Sequence, residues 1–145
     1  MYQGQEIFLT GGDDPNNREA LWDHGYKGNS LIQSLNKLRN TAISKDRKYT
    51  TTLATYLYHD DAQLFYQKGS LLVGLNGNGA ERKIAPYVMP IHGTKYRGGE
   101  ALIEVMGCKS TTAGSRGQVL ATMENGAPVV FYPKAKLIGS GICGF

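Results

Sequence analysis

The chain opens with the stretch that decides how the rest is organised, residues 1–22, which read MYQGQEIFLTGGDDPNNREALW. A short strand ends at Gly4-Gln5-Glu6, and a polar loop with two adjacent glycines follows it. Asp14 then suits the N-cap of a helical turn, with Pro15 at the first helical position, where its missing N–H removes no hydrogen bond. Strand, polar loop and helix in this order predict one β/α unit.

A longer helix is predicted further along the chain. Apolar residues recur at helical spacing from Leu31 to Ile43, with polar residues between them. Ser30, with Gln33 three residues later, has the form of a capping box and predicts the N-cap. The helical period ends within 44–48, which predicts a domain boundary there, with residues 1–46 in one domain and 47–145 in the other.

From Tyr49 onwards the sequence is typical of an all-β domain. Short segments rich in β-branched and aromatic residues alternate with glycine-rich turns. The predicted strands are Tyr49–Tyr58, Gln63–Gln67, Leu71–Leu75, Tyr87–Ile91, Ala101–Met106, Val119–Met123 and Val129–Tyr132. A hairpin is predicted at Lys68-Gly69-Ser70, and Asn125-Gly126 is a type I′ turn signal between the last two strands. This pattern predicts a mainly β fold, an antiparallel Greek-key β-sandwich preceded by one β/α unit.

Composition narrows the classes of partner. The 145 residues carry a net charge of +4, but the basic residues are scattered and no basic face interleaved with aromatics supports nucleic-acid binding. No apolar run approaches the roughly 20 residues of a membrane span, and the start of the chain lacks the pattern of a signal peptide. Two cysteines leave a disulfide and two free thiols as equal alternatives at this point.

Spacing by itself predicts no catalytic residue and no metal site. The three histidines have no metal-ligand spacing, and the run Asp13–Asn17 fails the calcium-loop pattern because Pro15 stands where a ligand is needed. The glycine-rich segment Gly74–Gly79 is better read as a hairpin loop than as a phosphate loop, since no helix follows it. Asp14 and Arg18, four residues apart, read most simply as a capping carboxylate and its i,i+4 partner on the same helical turn.

An ordered series of short motifs carries a resemblance across the whole chain. They are Gly4-Gln5-Glu6, Gly11-Gly12, Asp14-Pro15, Asn17–Ala20, Trp22, Arg39-Asn40, Ala42–Asp46, Glu104–Cys108, Tyr132-Pro133, Lys136-Leu137, Gly139-Ser140 and Ile142-Cys143. This series resembles the fungal, Taka-type α-amylases from the eighth strand of their barrel to their C-terminus. The apolar residues Ile7–Leu9 depart from the polar and aromatic residues of the family.

The resemblance implies a fold, a function and specific residue roles. The β/α unit would be the last one of a (β/α)8 barrel, truncated here, and the parent enzyme would hydrolyse internal α-1,4 bonds of starch or glycogen with retention. Asp14 and Arg18 would bind glucosyl units on the non-reducing side of the cleaved bond. Cys108 and Cys143 would form a disulfide in a secreted protein. The family's calcium ligands lie in regions that these residues do not match, so no cofactor is expected in this chain.

The resemblance also implies that the chain is inactive alone and is a C-terminal portion of a longer secreted enzyme. In the family, the nucleophile, the acid/base and a third supporting Asp lie on the fourth, fifth and seventh strands, and Glu6 is not among them. The α-glucan partner would then belong to the full-length enzyme. One alternative is a non-catalytic carbohydrate-binding or interaction module, which requires paired exposed aromatics on one face of the sandwich. Another is a naturally truncated regulatory paralogue.

Overall fold

The computed structural model describes residues 4, 7, 9, 11–14, 17, 19–79, 85–124 and 126–145. The chain forms two compact units, Met1–Asn40 and Thr41–Phe145. The boundary proposed from the sequence, between residues 46 and 47, stays a prediction. Among the described residues, no helix is both long and apolar enough to cross a membrane.

The predicted strand at the start of the chain falls mostly outside the described residues. Gly4 is the described position of that strand, and the backbone there forms a turn, because the N–H groups of Ile7 and Leu9 in the following loop both donate to its carbonyl, at 3.1 and 3.0 Å. Gly4 has a φ of +90°, which a turn accepts and a strand does not. A barrel strand needs neighbouring strands for its ladder bonds. The described part of this unit supplies none, and local turn bonds take their place.

The predicted long helix is present as α1, Ser30–Lys45. Its N-cap is Asn29 rather than Ser30, because the Asn29 side-chain oxygen accepts the N–H groups of Leu31 and Ile32 at 3.0 and 3.2 Å. Asn and Ser are comparable N-caps, so the spacing to Gln33 alone selected the wrong one. The apolar stripe is deeply buried only at Leu38 and Ala42.

The second unit contains two antiparallel sheets. In the described residues its strands are β1 (Thr55–His59), β2 (Gln63–Lys68), β3 (Leu71–Asn76), β4 (Tyr87–Ile91), β5 (Ala101–Glu104), β6 (Lys109–Thr112), β7 (Val119–Met123) and β8 (Val129–Pro133), with a short helix α2 at Lys134–Leu137. The larger sheet has six strands in the order β1-β2-β3-β8-β5-β6, and β4 pairs with β7 in a second, two-stranded sheet. The predicted mainly β, Greek-key sandwich is confirmed.

The hairpin at Lys68–Ser70 is confirmed, since Lys68 pairs with Leu71 and leaves a two-residue loop. Gly69 has a φ of +57°, the conformation that such a loop requires. The prediction at Asn125-Gly126 is only half right. Glu124 and Ala127 close a turn there at 2.8 Å, yet β7 and β8 lie in different sheets and do not form a hairpin. Asn125 itself is outside the described residues.

The first predicted strand, Tyr49–Tyr58, begins too early in the sequence. Residues 47–51 form turns, and β1 begins only at Thr55. The cause is local hydrogen bonding: the Asp46 carboxylate accepts the Lys48 N–H at 3.0 Å, and the hydroxyl of Thr52 donates to the Lys48 carbonyl at 2.8 Å. Short polar side chains that bond nearby backbone compete in this way with strand pairing, despite high strand propensity.

The core lies between the two sheets. Strand β7 alternates as predicted for a half-buried strand, with Val119, Ala121 and Met123 facing inward. Phe65 and Phe131 contribute the largest apolar side chains from the six-stranded sheet. Two elements of the second unit were not predicted from the sequence, β6 and α2. Strand β6 reads Lys-Ser-Thr-Thr, is mostly exposed at the sheet edge and carries no apolar alternation to reveal it.

Tyr96 joins three segments from inside this core. Its hydroxyl lies 2.9 Å from the Ser70 carbonyl oxygen and 3.0 Å from that of Phe131, so one side chain links the loop after β4 to the β2–β3 turn and to β8. Burial raises the pKa of Tyr96 well above its ordinary value. Burial also raises the pKa of Tyr132 to about 12. Unlike Tyr96, Tyr132 has a hydroxyl with no hydrogen-bond partner among the described residues.

These two tyrosines form a matched pair of variants. Tyr96→Phe is expected to lower the free energy of unfolding at pH 7 by about 1–3 kcal/mol, because it removes the single O–H donor that the Ser70 and Phe131 carbonyls share. Tyr132→Phe removes a hydroxyl that has no described acceptor, so stability at pH 7 should be unchanged or higher. Urea unfolding measures the change in both variants, and the slope of the unfolding free energy against urea concentration should be the same as in the parent chain. Equal losses in the two variants would contradict the assigned role of the Tyr96 hydroxyl.

The same variants change the response to alkali. Both pKa values lie above the roughly 10 of an unfolded tyrosine, so the folded state retains these protons. Their contribution to stability is therefore complete below about pH 10 and is lost as the pH rises above it. Each Phe variant should lose less stability than the parent chain between about pH 10 and 12.

Candidate functional site

The structure describes one of the two residues predicted to bind glucan. Asp14 is exposed in a turn of the first unit. Arg18 and Glu6 lie outside the described residues. The pairing of Asp14 with Arg18 therefore stays a prediction, and the geometry available concerns the loop that carries Asp14.

A single carboxylate closes this loop. Glu19 Oε1 accepts the backbone N–H of Gly11 at 2.7 Å, and Glu19 Oε2 lies 2.9 Å from Nε2 of His24. A carboxylate only accepts, so the imidazole nitrogen is the donor. Both side chains are partly exposed, at 33% for Glu19 and 40% for His24. Glu19 thus ties the beginning of the loop to the segment that follows it.

Backbone geometry explains why a glycine stands at the start of this loop. Gly11 has a φ of +63°, and a Cβ built there would lie 3.2 Å from the carbonyl oxygen of Asn17. A larger residue would be strained in conformation and crowded against the other side of the loop. The close approach of Gly11 to Asn17 and the bond to Glu19 together fix the base of the Asp14 loop.

His24 is positioned by a short 3-10 helix, Leu21–His24. That helix ends at Gly25, which has a φ of +63° and donates its N–H to the carbonyl of Trp22 at 3.1 Å. A glycine in the left-handed conformation is the common C-terminal stop of a helix. His24 therefore faces Glu19 as a hydrogen-bond partner.

Sequence reasoning missed the roles of Glu19 and His24. The spacing of the histidines bears only on metal binding by His24, and Glu19 stands out only as part of the Asn17–Ala20 motif. The sequence signal for a carboxylate that closes the loop is the pair Gly11-Gly12 followed, at the other end of the loop, by the acidic residue Glu19. Among the described residues, no group of three or more His, Cys, Asp or Glu is arranged to hold a metal ion. The expectation that the full-length family's calcium finds no ligands in this chain stays a prediction.

The predicted disulfide is present in the second unit. Cys108 and Cys143 are bonded, with their Cα atoms 5.3 Å apart. It joins the turn between β5 and β6 to the segment after α2. Both cysteines have positive φ, 54° and 52°, a conformation that non-glycine residues seldom adopt. The surrounding turn must therefore be held firmly.

Glu104 holds that turn. Its Oε1 accepts the N–H groups of Met106 and Val130 at 3.0 and 3.2 Å, and its Oε2 accepts that of Gly107 at 2.7 Å. One carboxylate thus satisfies three backbone donors and fixes the turn to β8, beside the disulfide. Charged acceptors make stronger bonds to backbone N–H groups than neutral ones do. The Glu104–Cys108 motif is therefore a structural unit.

Comparison with known proteins matches this architecture. Residues 56–145 match the family described as Alpha-amylase, domain C. Alpha-amylase 2 of Schwanniomyces occidentalis is 36% identical over 156 residues, covering 100% of this chain and 29% of the relative. Alpha-amylase of Saccharomycopsis fibuligera is 35% identical over 137 residues, covering 92% of this chain and 27% of the relative.

A solved structure is similar as well. The α-amylase of Malbranchea cinnamomea superposes with a TM-score of 0.88 at 35% identity, over 97% of this chain and 30% of that chain. The chain thus spans less than a third of the length of these relatives. The domain C match covers both sheets and the disulfide, and the near-complete overlap includes the Asp14 loop. The chain therefore belongs to the α-amylase family, and residues 56–145 form the domain C of that family.

Proposed function

We propose that this chain works as part of a secreted α-amylase that hydrolyses internal α-1,4 bonds of starch or glycogen with retention. The observation that carries the proposal is the match of almost the whole chain, at 35% or 36% identity, to fungal α-amylases. The disulfide supports secretion, because such bonds persist in oxidising compartments. Residues 1–46 would complete the catalytic barrel, and 47–145 would form the C-terminal sandwich domain.

In this proposal Asp14 and Arg18 bind a glucosyl unit away from the cleaved bond. A carboxylate accepts hydrogen bonds and a guanidinium donates them, so the two together suit neighbouring hydroxyls that do both. The exposed position of Asp14 leaves its carboxylate available to a sugar. Glu19 acts as a positioning residue, because its bond to Gly11 holds the base of the loop that presents Asp14.

The chain alone is expected not to hydrolyse starch. Retaining glycosidases need two carboxyl groups about 5–5.5 Å apart, and in the family these lie on strands earlier than those that residues 1–22 resemble. A positioning residue adds rate only when it orients substrate against a reacting group. Reducing-sugar release from soluble starch should therefore be at background for the purified chain. It should appear when a longer protein supplies the barrel of the Malbranchea relative upstream. Hydrolysis by the 145 residues that survives purification and is lost on Glu6→Gln would overturn the proposal.

The loop can be tested within that longer protein. Asp14→Ala is expected to lower kcat/KM for a long malto-oligosaccharide by about tenfold, since a charged hydrogen bond to the sugar is lost. Glu19→Ala should act in the same direction by releasing the loop base. Asp13→Ala is the matched control, because it removes an adjacent exposed carboxylate that the proposal does not use. An equal effect of Asp13→Ala and Asp14→Ala would argue against the assigned role of Asp14.

One observation favours a second candidate, a carbohydrate-binding role of the sandwich itself. Tyr56 of β1 is 70% exposed and lies directly opposite Tyr66 of β2, so both rings share one face of the six-stranded sheet. A β-bulge between Tyr56 and Tyr58 turns Tyr58 towards Phe65, with ring centroids 6.5 Å apart. Tyr56 and Tyr66 thus form a pair of aromatics on one face of the sheet, of which Tyr56 is exposed and Tyr66 is half-buried.

Binding to insoluble starch separates this candidate from the first. If the pair stacks on sugar, the 145-residue chain should bind starch granules, and Tyr56→Ala should weaken binding by at least about threefold. Leu120→Ala serves as the control, since Leu120 is also exposed, at 60%, but lies on the other sheet. If the chain does not bind starch granules, or if both variants weaken binding equally, the carbohydrate-binding role of the sandwich is ruled out.

A further inference from the structure

A cationic pocket of about 340 Å³ opens at one end of the sandwich. It lies where the β2–β3 turn, the loop between β4 and β5 and the start of α2 come together. All three segments belong to the second unit. The side chains that matter to its chemistry are Gln67, Ser70, Lys95, Arg97, Glu100 and Lys136.

Positive charge dominates this pocket. Lys95, Arg97 and Lys136 stand against one carboxylate, that of Glu100, and in the described part of the chain none of the three cations forms an ion pair. Glu100 is engaged with its own loop, since its Oε2 accepts the backbone N–H of Arg97 at 2.9 Å. Clustered cations without carboxylate partners favour an anionic ligand.

One of these cations is held in place. Lys136 Nζ donates to the hydroxyl of Ser70 at 2.6 Å, and Lys136 is only partly exposed. An ammonium has three donors, so two remain for a ligand. Its position on α2 sets it at the pocket wall, whereas Lys95 and Arg97 are exposed on the loop.

The buried side chain of Gln67 also lines this pocket, and one of its polar atoms lacks a hydrogen-bond partner among the described residues. Gln67 is fully buried, and its Oε1 accepts the backbone N–H of Lys95 at 2.8 Å. That bond fixes the orientation of the amide, because in the flipped orientation the Nε2 donor would face the N–H donor of Lys95. Gln67 Nε2 has no hydrogen-bond acceptor among the described residues. A buried N–H group without an acceptor is costly, and a ligand oxygen would satisfy it.

We propose that this pocket binds a phosphate-type oxyanion, either free phosphate or the phosphate group of a sugar monoester. The oxyanion supplies the acceptors that the Lys136 ammonium and the Gln67 amide lack, and its charge matches the excess of cations. A neutral sugar offers no such charge. The site lies in the sandwich unit and is independent of the Asp14 loop, so it goes beyond the proposed role in starch hydrolysis.

Nuclear magnetic resonance of the 145-residue chain tests the proposal directly. The ¹⁵N-labelled chain is titrated separately with inorganic phosphate, glucose 6-phosphate and glucose, to about 50 mM at constant ionic strength so that screening does not change. The Gln67 side-chain amide and the Lys95 backbone amide are expected to shift and saturate with either phosphate compound and to stay unchanged with glucose. Saturation with only one of the two identifies the source of the phosphate group.

Paired lysine variants on α2 provide the control. Lys136→Met should weaken phosphate binding by about tenfold, whereas Lys134→Met, on the same helix but outside the pocket, should leave it unchanged. If Lys136→Met fails to fold, Arg97→Gln is expected to weaken binding in its place. Shifts that do not saturate, that glucose reproduces, or that both lysine variants reduce alike would overturn the proposal.

Discussion

Burial of strand β8 on both faces is the constraint on which the second unit depends. All five positions, Val129–Pro133, are buried. Phe131 faces the core between the sheets, while Tyr132 faces the opposite side of the same sheet and is also fully buried. A sheet of this kind normally leaves one face to solvent, so the second face here must be covered. The cover includes α2, which follows β8 directly and packs against β5 and β8.

The disulfide and Glu104 keep that cover in place. Residues 138–145 follow α2, and the Cys108–Cys143 bond ties them to the β5–β6 turn. Glu104 fixes the same turn to β8 through the Val130 N–H. Closing a loop across a sequence separation of 35 residues stabilises the folded chain by about 4 kcal/mol on chain-entropy grounds. Lys45 adds a contact from the end of α1, donating to the Ile138 carbonyl at 3.2 Å.

The two candidate sites of this chain are built on different principles. The Asp14 loop is held at its base by a carboxylate that bonds backbone, which leaves the exposed side chains of the loop free to meet a ligand. The cationic pocket instead combines a buried amide with lysine and arginine side chains from separate segments. Loops held by a fixed base are common places for binding residues, since surface backbone can vary while the scaffold stays rigid.

Much of the local structure could be predicted from the sequence. Strands β4 and β7 occur within the predicted bounds, and the β2–β3 hairpin turns where Gly69 indicated. These elements follow from alternation and turn chemistry, which act over a few residues. The N-cap of α1 and the start of β1 were wrong because Asn29 and Asp46 use side-chain bonds that propensity does not include.

What the sequence by itself determined is the class of fold and the series of motifs that identifies the family. Only the tertiary structure decided which strands pair, that β7 and β8 belong to different sheets, and that polar β6 completes an edge. It also brought Gln67 and Lys136 together, although 69 positions separate their numbers (136 − 67). Pairing and pocket formation depend on contacts between distant segments, which are chosen by burial of the whole core rather than by any local pattern.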